Sequence, residues 1–255
     1  MRSQQVWKGI YESFPKVNQT LEAFSLQRWL ERQRLEATDL YENSKSENLQ
    51  SFLGKILIGY TTTLKGKVKI LDWGGGLALE YIKLLKSNYP VEDLEYFVIE
   101  TEAVCQLGRD FYSKSRFPKF SGSRESIHFY PQLKQIDIPY DIFHCDSSFQ
   151  YLEHWREVID TVCEKSPKLI LLCGMLCGHI PSFATVQNYY DHQLPVWFLN
   201  KDELMEHMSK NGYEMVYEEF DNARYFGKVC NLPMDNFPQK YQLKRKYNLC
   251  FRAVS

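Results

Sequence analysis

Lys69-Ile70-Leu71-Asp72-Trp73-Gly74-Gly75-Gly76-Leu77-Ala78-Leu79-Glu80 runs from an apolar strand through a glycine turn into a helix. Glycines at such a turn let the backbone come close to a ligand, because no Cβ intervenes and positive φ carries little penalty. The arrangement is a nucleotide-cofactor signature, and the spacing around the glycines selects among cofactors. The dinucleotide fingerprint asks for G-x-G-x-x-G or a closing Ala, the last small residue allowing close packing of helix on strand. Gly74 and Gly76 meet the first two positions, but the third falls on Leu79. A pyrophosphate turn is disfavoured.

The other common design sets a carboxylate two residues ahead of the first glycine, and Asp72-Trp73-Gly74-Gly75-Gly76 has that D-x-G-x-G form. It resembles motif I of class I S-adenosylmethionine methyltransferases. The chemistry agrees, since that cofactor carries an ammonium at its amino-acid end and a sulfonium at its centre. A carboxylate at the strand tip favours the cationic side through charge-assisted hydrogen bonds, and Asp72 is the candidate. The plainer alternative is that the three glycines only make a tight strand-to-helix turn. A second element strengthens the cofactor reading. Leu94-Glu95-Tyr96-Phe97-Val98-Ile99-Glu100 reads as a buried strand ending on an acid about 25 residues downstream, where doubly wound folds present a carboxylate to a ribose. Glu100 and the adjoining Thr101 therefore join the candidate cofactor residues. The alternative for Glu100 is a place in the N-cap region of the next helix, a role that Thr101 suits better.

A chain of 255 residues with 44% hydrophobic content and a net charge of −1 suits one α/β domain with a cap or insertion. Lys and Arg nearly balance Asp and Glu, so no electrostatic footprint for nucleic acid is present. Lys240, Lys244, Arg245 and Lys246 form a local basic cluster that reads as a solvated face. No apolar run approaches the roughly 20 residues needed to span a bilayer, and the polar N-terminus lacks a secretory apolar core. The expected location is cytoplasmic. The seven cysteines include no C-x-x-C pair and fall mostly in apolar segments, as small buried hydrophobes do in a reducing compartment. Cys173, Cys177 and His179 make a C-x3-C-x-H cluster without a fourth ligand at familiar spacing, so no metal site is expected.

From Gln19 to about Thr63 apolar residues recur every three or four positions, which predicts two or three helices joined at the polar run Tyr41 to Asn48. Residues 1–65 would form an N-terminal helical cap, with the catalytic domain over 66–255. The aromatic, Gly- and Pro-punctuated stretch Trp7 to Pro15 reads as a binding or docking loop. After the glycine turn the pattern alternates strand and helix, predicting a parallel sheet. Strands are expected at Ser126 to Tyr130, Tyr140 to Cys145 and Lys168 to Cys173, and two final ones at Tyr213 to Phe220 and Tyr247 to Val254. Helices are expected from about Leu77 to Ser87 and Glu102 to Ser115, ahead of Lys165, and from Asn200. Between Gly174 and Leu199 lies a stretch without clear periodicity, rich in Pro, Tyr and His, which reads as an irregular connection covering a substrate.

Taken together, several stretches resemble a family of class I S-adenosylmethionine-dependent methyltransferases encoded among bacterial surface-polysaccharide genes. They are Trp7-x-Gly9-x-Tyr11-x-Ser13, Leu71-Asp72-Trp73-Gly74-Gly75, Val98-Ile99-Glu100, Ser147-Ser148-Phe149-Gln150-Tyr151-Leu152-Glu153, Thr185-Val186-Gln187 and Pro195-x-Trp197-Phe198. The likeness spans nearly the whole chain. It implies a Rossmann-like seven-stranded sheet with the last strand antiparallel and the cofactor over the strand C-termini. It also implies that Ser147, Ser148 and Gln150, after the fourth strand, contact the cofactor. A serine there could instead cap the following helix. Members of the family often follow the fifth strand with an Asp-Arg-Thr-Pro-like run, whereas this chain has Leu172-Cys173-Gly174-Met175.

Methyl transfer from a sulfonium is an in-line displacement, in which alignment and exclusion of water dominate. For a sugar hydroxyl acceptor a general base helps, and His192 is the first candidate, with His154 second. Tyr11, Gln187, Tyr190 and Trp197 are the candidate acceptor residues, although Tyr and Trp are equally at home in a core. The leading expectation is O-methylation of a sugar or sugar-phosphate intermediate of a surface glycan. Two alternatives stand beside it. One is a catalytically silent cofactor-binding or scaffold protein in a biosynthetic complex. The other is a nicotinamide-dependent dehydrogenase, against which Leu79 argues.

Overall fold

The computed structural model describes residues 5–17, 21–43, 51–61, 67–87, 89–90, 93–113, 126–189, 192–221, 224–225, 228–229 and 231–254. In chain order its elements are β1 (Trp7–Tyr11), α1 (Gln27–Asn43), α2 (Phe52–Thr61), β2 (Val68–Trp73), α3 (Leu79–Lys86), β3 (Leu94–Ile99) and α4 (Glu102–Ser113). There follow β4 (Ile127–Tyr130), β5 (Ile142–Asp146), α5 (Trp155–Glu164), β6 (Leu169–Met175), β7 (Cys177–Gly178), β8 (Phe183–Tyr189) and β9 (His192–Asn200). The chain closes with α6 (Lys201–Lys210), β10 (Tyr213–Asp221), the short pair β11 (Arg224–Tyr225) and β12 (Lys228–Val229), and β13 (Lys246–Ala253). Single 3-10 turns lie at Leu21–Phe24, Leu133–Gln135, Phe149–Tyr151 and Gln239–Tyr241.

The chain forms two compact units, one of Phe24–Cys145 with Lys165–Lys168 and one of Met1–Ala23, Asp146–Glu164 and Leu169–Ser255. In the first unit β2 pairs in parallel with β3 on one side and β5 on the other, and β3 pairs in parallel with β4. β2, β3 and β5 are buried along most of their length, as strands covered on both faces are. In the second unit β13 runs antiparallel to both β6 and β10. The hydrogen-bonded order of this seven-stranded sheet is β10-β13-β6-β5-β2-β3-β4. The expected α/β class, the parallel progression and the antiparallel last strand are all present.

The helices follow local chemistry. Asn200 caps α6 with its side-chain oxygen, which accepts from the Asp202 and Glu203 amides at 2.8 and 3.0 Å. Asp202 and Glu203 then occupy the first turn and His207 and Lys210 the last, matching the helix dipole at both ends. The helical reading of the segment before β2 is met by α1 and α2, while most of their expected joint lies outside the described residues. Of the residues in α1 only Gln33 and Ala37, one turn apart, are buried.

Two expectations are corrected. The 174–199 stretch is not irregular: β7, β8 and β9 fill most of it and, with β1, make a second sheet in the order β1-β8-β9-β7. Period-two alternation is absent there because Ala184, Thr185, Val186, Leu194, Pro195 and Val196 are buried whichever face they occupy. Pro195 also argues against a strand, since it cannot donate to a ladder. β7 reaches only Leu199 and Asn200, so at Pro195 the side of β9 away from β8 meets no strand among the described residues. Trp7 to Pro15 is likewise not a free loop. Its first part is β1, paired antiparallel to β8 with a register shift around Gly9, whose φ is +85°. Trp7 is 2% exposed and packs with Phe183, Val196, Phe198, Leu232, Met234 and Phe237.

Candidate cofactor site

The turn after β2 is held by its own backbone. Gly74 and Gly76 have φ of +70° and +56°, a region closed to most side chains. The Gly74 amide donates to the Ile99 carbonyl at 2.8 Å, and the Ala78 amide to the Gly75 carbonyl at 2.9 Å, which starts α3. Gly75 is needed for space: a Cβ there would lie 2.2 Å from Asp72 Oδ2.

Glu100 closes the site at the end of β3. Its Oε1 accepts from the Gly76 amide at 3.1 Å and its Oε2 from the Thr101 amide at 2.9 Å, so one carboxylate ties the glycine turn to the start of α4. Burial pushes the Glu100 carboxyl above the usual carboxylate range; the two amide bonds oppose that shift, and the Asp72 charge adds to it. Thr101 takes the N-cap position, its hydroxyl oxygen accepting from the Val104 amide at 3.4 Å.

Asp72 lies beneath the turn at 1% exposure. Its Oδ2 accepts from the Tyr96 hydroxyl at 2.7 Å, and its Oδ1 is 2.8 Å from His144 Nδ1. The three side chains share one face of the sheet, since His144 is the register partner of Asp72, and Tyr96 that of Ile70 two residues before it. Burial first, then the Asp72 charge, holds the Tyr96 hydroxyl well above its ordinary pKa, so it stays a donor. On α3, burial alone would raise the Glu80 carboxyl, but the Lys83 ammonium and then His144 draw it below the usual range. Sequence reasoning passed over Tyr96 and His144. Their signal is a polar side chain flanked by apolar residues within a mostly buried strand. Trp73, the remaining residue of the motif, is half-buried with its ring 6.5 Å from that of Phe143.

The remaining cofactor candidates lie at the end of β5 and after it, in the other unit. Ser147 has φ of +54°; its hydroxyl donates to Asp146 Oδ1 at 2.9 Å and its amide to the Cys173 carbonyl at 3.0 Å. Gly174 makes room for it, since a Cβ there would meet Ser147 Oγ at 2.2 Å. Gln150 is buried and donates from Nε2 to the Ser147 carbonyl at 2.6 Å. Ser148 heads the Phe149–Tyr151 turn through its carbonyl, with no side-chain capping bond to that turn.

The acceptor candidates separate. Tyr11, Ala184 and Trp197 are register partners across β1, β8 and β9 and share one face. Gln187 is three residues from Ala184 on β8 and so points to the opposite face, where its Oε1 accepts from the Tyr151 hydroxyl at 3.0 Å. Gln187 and Trp197 therefore do not line one pocket. Trp197 donates from its indole to the Glu153 carbonyl at 3.1 Å, and its ring is 5.3 Å from that of Phe14. His192 pairs with Tyr189 at the end of the β8–β9 hairpin. Tyr190 lies outside the described residues. His154 is exposed, 4.0 Å from Glu157.

Among the described residues no three His, Cys, Asp or Glu side chains converge on a metal position, and no helix is long and apolar enough to cross a membrane. Cys173 and Cys177 are buried strand residues, while His179 is exposed beside Asp202. Lys246 differs from the solvated face expected of its cluster. It is half-buried, and burial lowers its ammonium pKa, against the pull of Asp221 and Asp146.

No protein-family model matches the chain, and no curated protein matches it in sequence. Solved structures do. A SAM-dependent methyltransferase from Methanosarcina mazei superposes with a TM-score of 0.54 at 10% identity, over 78% of this chain and 97% of its own. The magnesium protoporphyrin IX methyltransferase of Synechocystis, with bound S-adenosylhomocysteine, gives 0.52 at 10% identity, over 91% and 98%. The fold is the class I methyltransferase fold. A glycopeptide N-methyltransferase in complex with S-adenosylhomocysteine gives 0.51 at 11% identity, over 84% of this chain and 91% of its own. At such identities the likeness is one of architecture alone.

Proposed function

We propose that the chain is an S-adenosylmethionine-dependent methyltransferase. The observation that carries this reading is the Glu100 carboxylate bonded to the Gly76 amide, at the strand tips of a class I methyltransferase sheet. The residues present suit the cofactor. Two carboxylates, Asp72 beneath the glycine turn and Glu100 beside it, favour a cation over a pyrophosphate. Glu100 keeps lone pairs for both ribose hydroxyls after accepting its two amides. At Gly75 and Gly76 a side chain would clash with Asp72 and Gln33.

When bound, the cofactor supplies an electrophilic methyl group on a positively charged sulfur. Glu100 orients the ribose, and the left-handed glycines keep the backbone within reach of the ligand. Tyr96 and His144 hold Asp72 in place, so the turn is organised before the ligand arrives.

For the acceptor we propose a hydroxyl of a sugar or sugar-phosphate intermediate of a bacterial surface glycan, as the family resemblance implies. The row Tyr11–Ala184–Trp197 supports this reading, because two aromatic side chains flanking a small one offer apolar faces of the kind that sugar rings stack against. His192 is the proposed proton acceptor as the new C–O bond forms.

Isothermal titration with S-adenosylhomocysteine tests the cofactor, and binding is expected. Absence of binding, or tight NAD binding in its place, overturns the reading. Transfer of labelled methyl to extracted glycan intermediates tests the acceptor. With a hydroxyl acceptor, His192→Ala is expected to slow transfer by about 10²–10⁴-fold while leaving S-adenosylhomocysteine affinity intact.

A further inference from the structure

Gln33 is out of keeping with its helix. α1 is polar and mostly exposed, and its narrow buried stripe should be apolar. Ala37 obeys that rule; Gln33, one turn earlier, puts an amide there at 5% exposure. Its Oε1 is fully buried and has no hydrogen-bond partner among the described residues. Buried amide oxygens are normally satisfied, and an orphan marks a place where a partner is missing.

That orphan sits on the glycine turn. A Cβ on Gly76 would lie 2.2 Å from Gln33 Oε1 and 3.3 Å from its Cδ, so the amide rests against the backbone of the cofactor motif. Several other polar groups at the turn are already engaged. The Gly74 amide is bonded to the Ile99 carbonyl, the Gly76 amide to Glu100, and both Asp72 oxygens to Tyr96 and His144. Glu100 keeps lone pairs beyond its two amides, whereas Gln33 Oε1 makes no hydrogen bond at all among the described residues.

We propose that Gln33 holds the amino-acid end of the cofactor, a ligand contact supplied by the helix ahead of the nucleotide-binding sheet. The proposal rests on the reading of the site as one for S-adenosylmethionine. Glu100 answers the ribose hydroxyls, which leaves the ammonium and carboxylate of the methionine portion as the groups in need of partners. A primary amide serves either one, its oxygen accepting from the ammonium or its nitrogen donating to the carboxylate. Both bonds are charge-assisted and roughly twice as strong as a neutral pair.

Two ligands separate this role from others. S-adenosylhomocysteine carries the amino-acid end; 5′-methylthioadenosine keeps the adenine, ribose and sulfur and lacks it. In calorimetry, Gln33→Met is expected to weaken S-adenosylhomocysteine about tenfold or more and to leave methylthioadenosine unchanged. Because the variant removes an orphaned polar atom, the ligand-free melting temperature should stay level or rise. Gln33→Leu, also of similar volume, guards against a folding defect peculiar to methionine. Equal weakening of both ligands, unchanged S-adenosylhomocysteine affinity, or a lowered ligand-free melting temperature in both variants overturns the proposal while the cofactor reading stands. Wild-type protein that binds neither ligand overturns both.

Discussion

The glycine turn after β2 and the four-stranded sheet β1-β8-β9-β7 hold their shapes by different means. At the turn the packing is polar: Asp72, Tyr96 and His144 are buried in mutual hydrogen bonds, and Glu100 binds two backbone amides. The four-stranded sheet rests on apolar contact, with Phe183 stacked on Phe198 at 5.1 Å and Trp7 edge-on to Phe198 at 5.2 Å. A polar network fixes directions and fails when one partner is lost, because the remaining groups are stranded away from water. An apolar cluster fails in proportion to the volume removed. The first kind of region suits a ligand whose donors and acceptors must be met at fixed points. The second suits a wall.

Single substitutions break this contrast most directly. Asp72→Ala strands the Tyr96 hydroxyl and His144 Nδ1 at once, and removal of one member of a buried charged network costs about 3–5 kcal/mol. Trp7→Ala empties a core position, with a cost of about 3–5 kcal/mol. The two are expected to look alike in urea unfolding and to diverge in their conservative variants. Trp7→Phe should recover much of the loss. Asp72→Leu should recover none, since shape is restored but both partners stay unmet. Recovery of stability in Asp72→Leu would show that the region is held by packing after all.

A smaller change sharpens the polar side. In Gly75→Ala the new methyl would stand 2.2 Å from Asp72 Oδ2, which Tyr96 holds while His144 holds Oδ1, so the carboxylate has little room to retreat. S-adenosylhomocysteine affinity should fall by about tenfold or more, the equivalent of one lost hydrogen bond. Unaltered affinity in calorimetry would mean that the turn is softer than its bonding suggests.

The same contrast explains what was legible in the chain. The turn could be read because its glycines, its acid and the strand-ending Glu100 have fixed meanings over a few residues. Tyr96 and His144 could not, because their partnership with Asp72 depends on strand register. β1 pairs with β8 across most of the chain, and the strands β8 and β9 are buried on both faces at their centre, so neither proximity nor alternation announces them. Pro195 and Gly9 then pointed towards loops. Gln33 and Lys246 were hidden for another reason. A polar residue within a polar stretch looks solvated until packing shows that it is covered.

Glu100 provides the smallest of these effects and the finest test of the polar region. Its carboxyl is raised above the ordinary range by burial, so in the ligand-free protein its contribution to stability is present at acid pH and is lost as pH rises through the raised value. Cofactor binding should run the other way, because ribose hydroxyls donate to the ionised carboxylate and a protonated acid has fewer acceptor positions to offer. Affinity for S-adenosylhomocysteine should therefore climb with pH through that value by at most about tenfold per pH unit, the limit for one linked proton. Glu100→Gln cannot ionise; it should bind more weakly than wild type at neutral pH and lose the slope. Calorimetry over a pH series that starts at the ordinary carboxylate range and rises from there reads both. A wild-type affinity flat across that series, or a slope that survives in Glu100→Gln, would remove Glu100 from the ribose and leave it only as the brace between the glycine turn and α4.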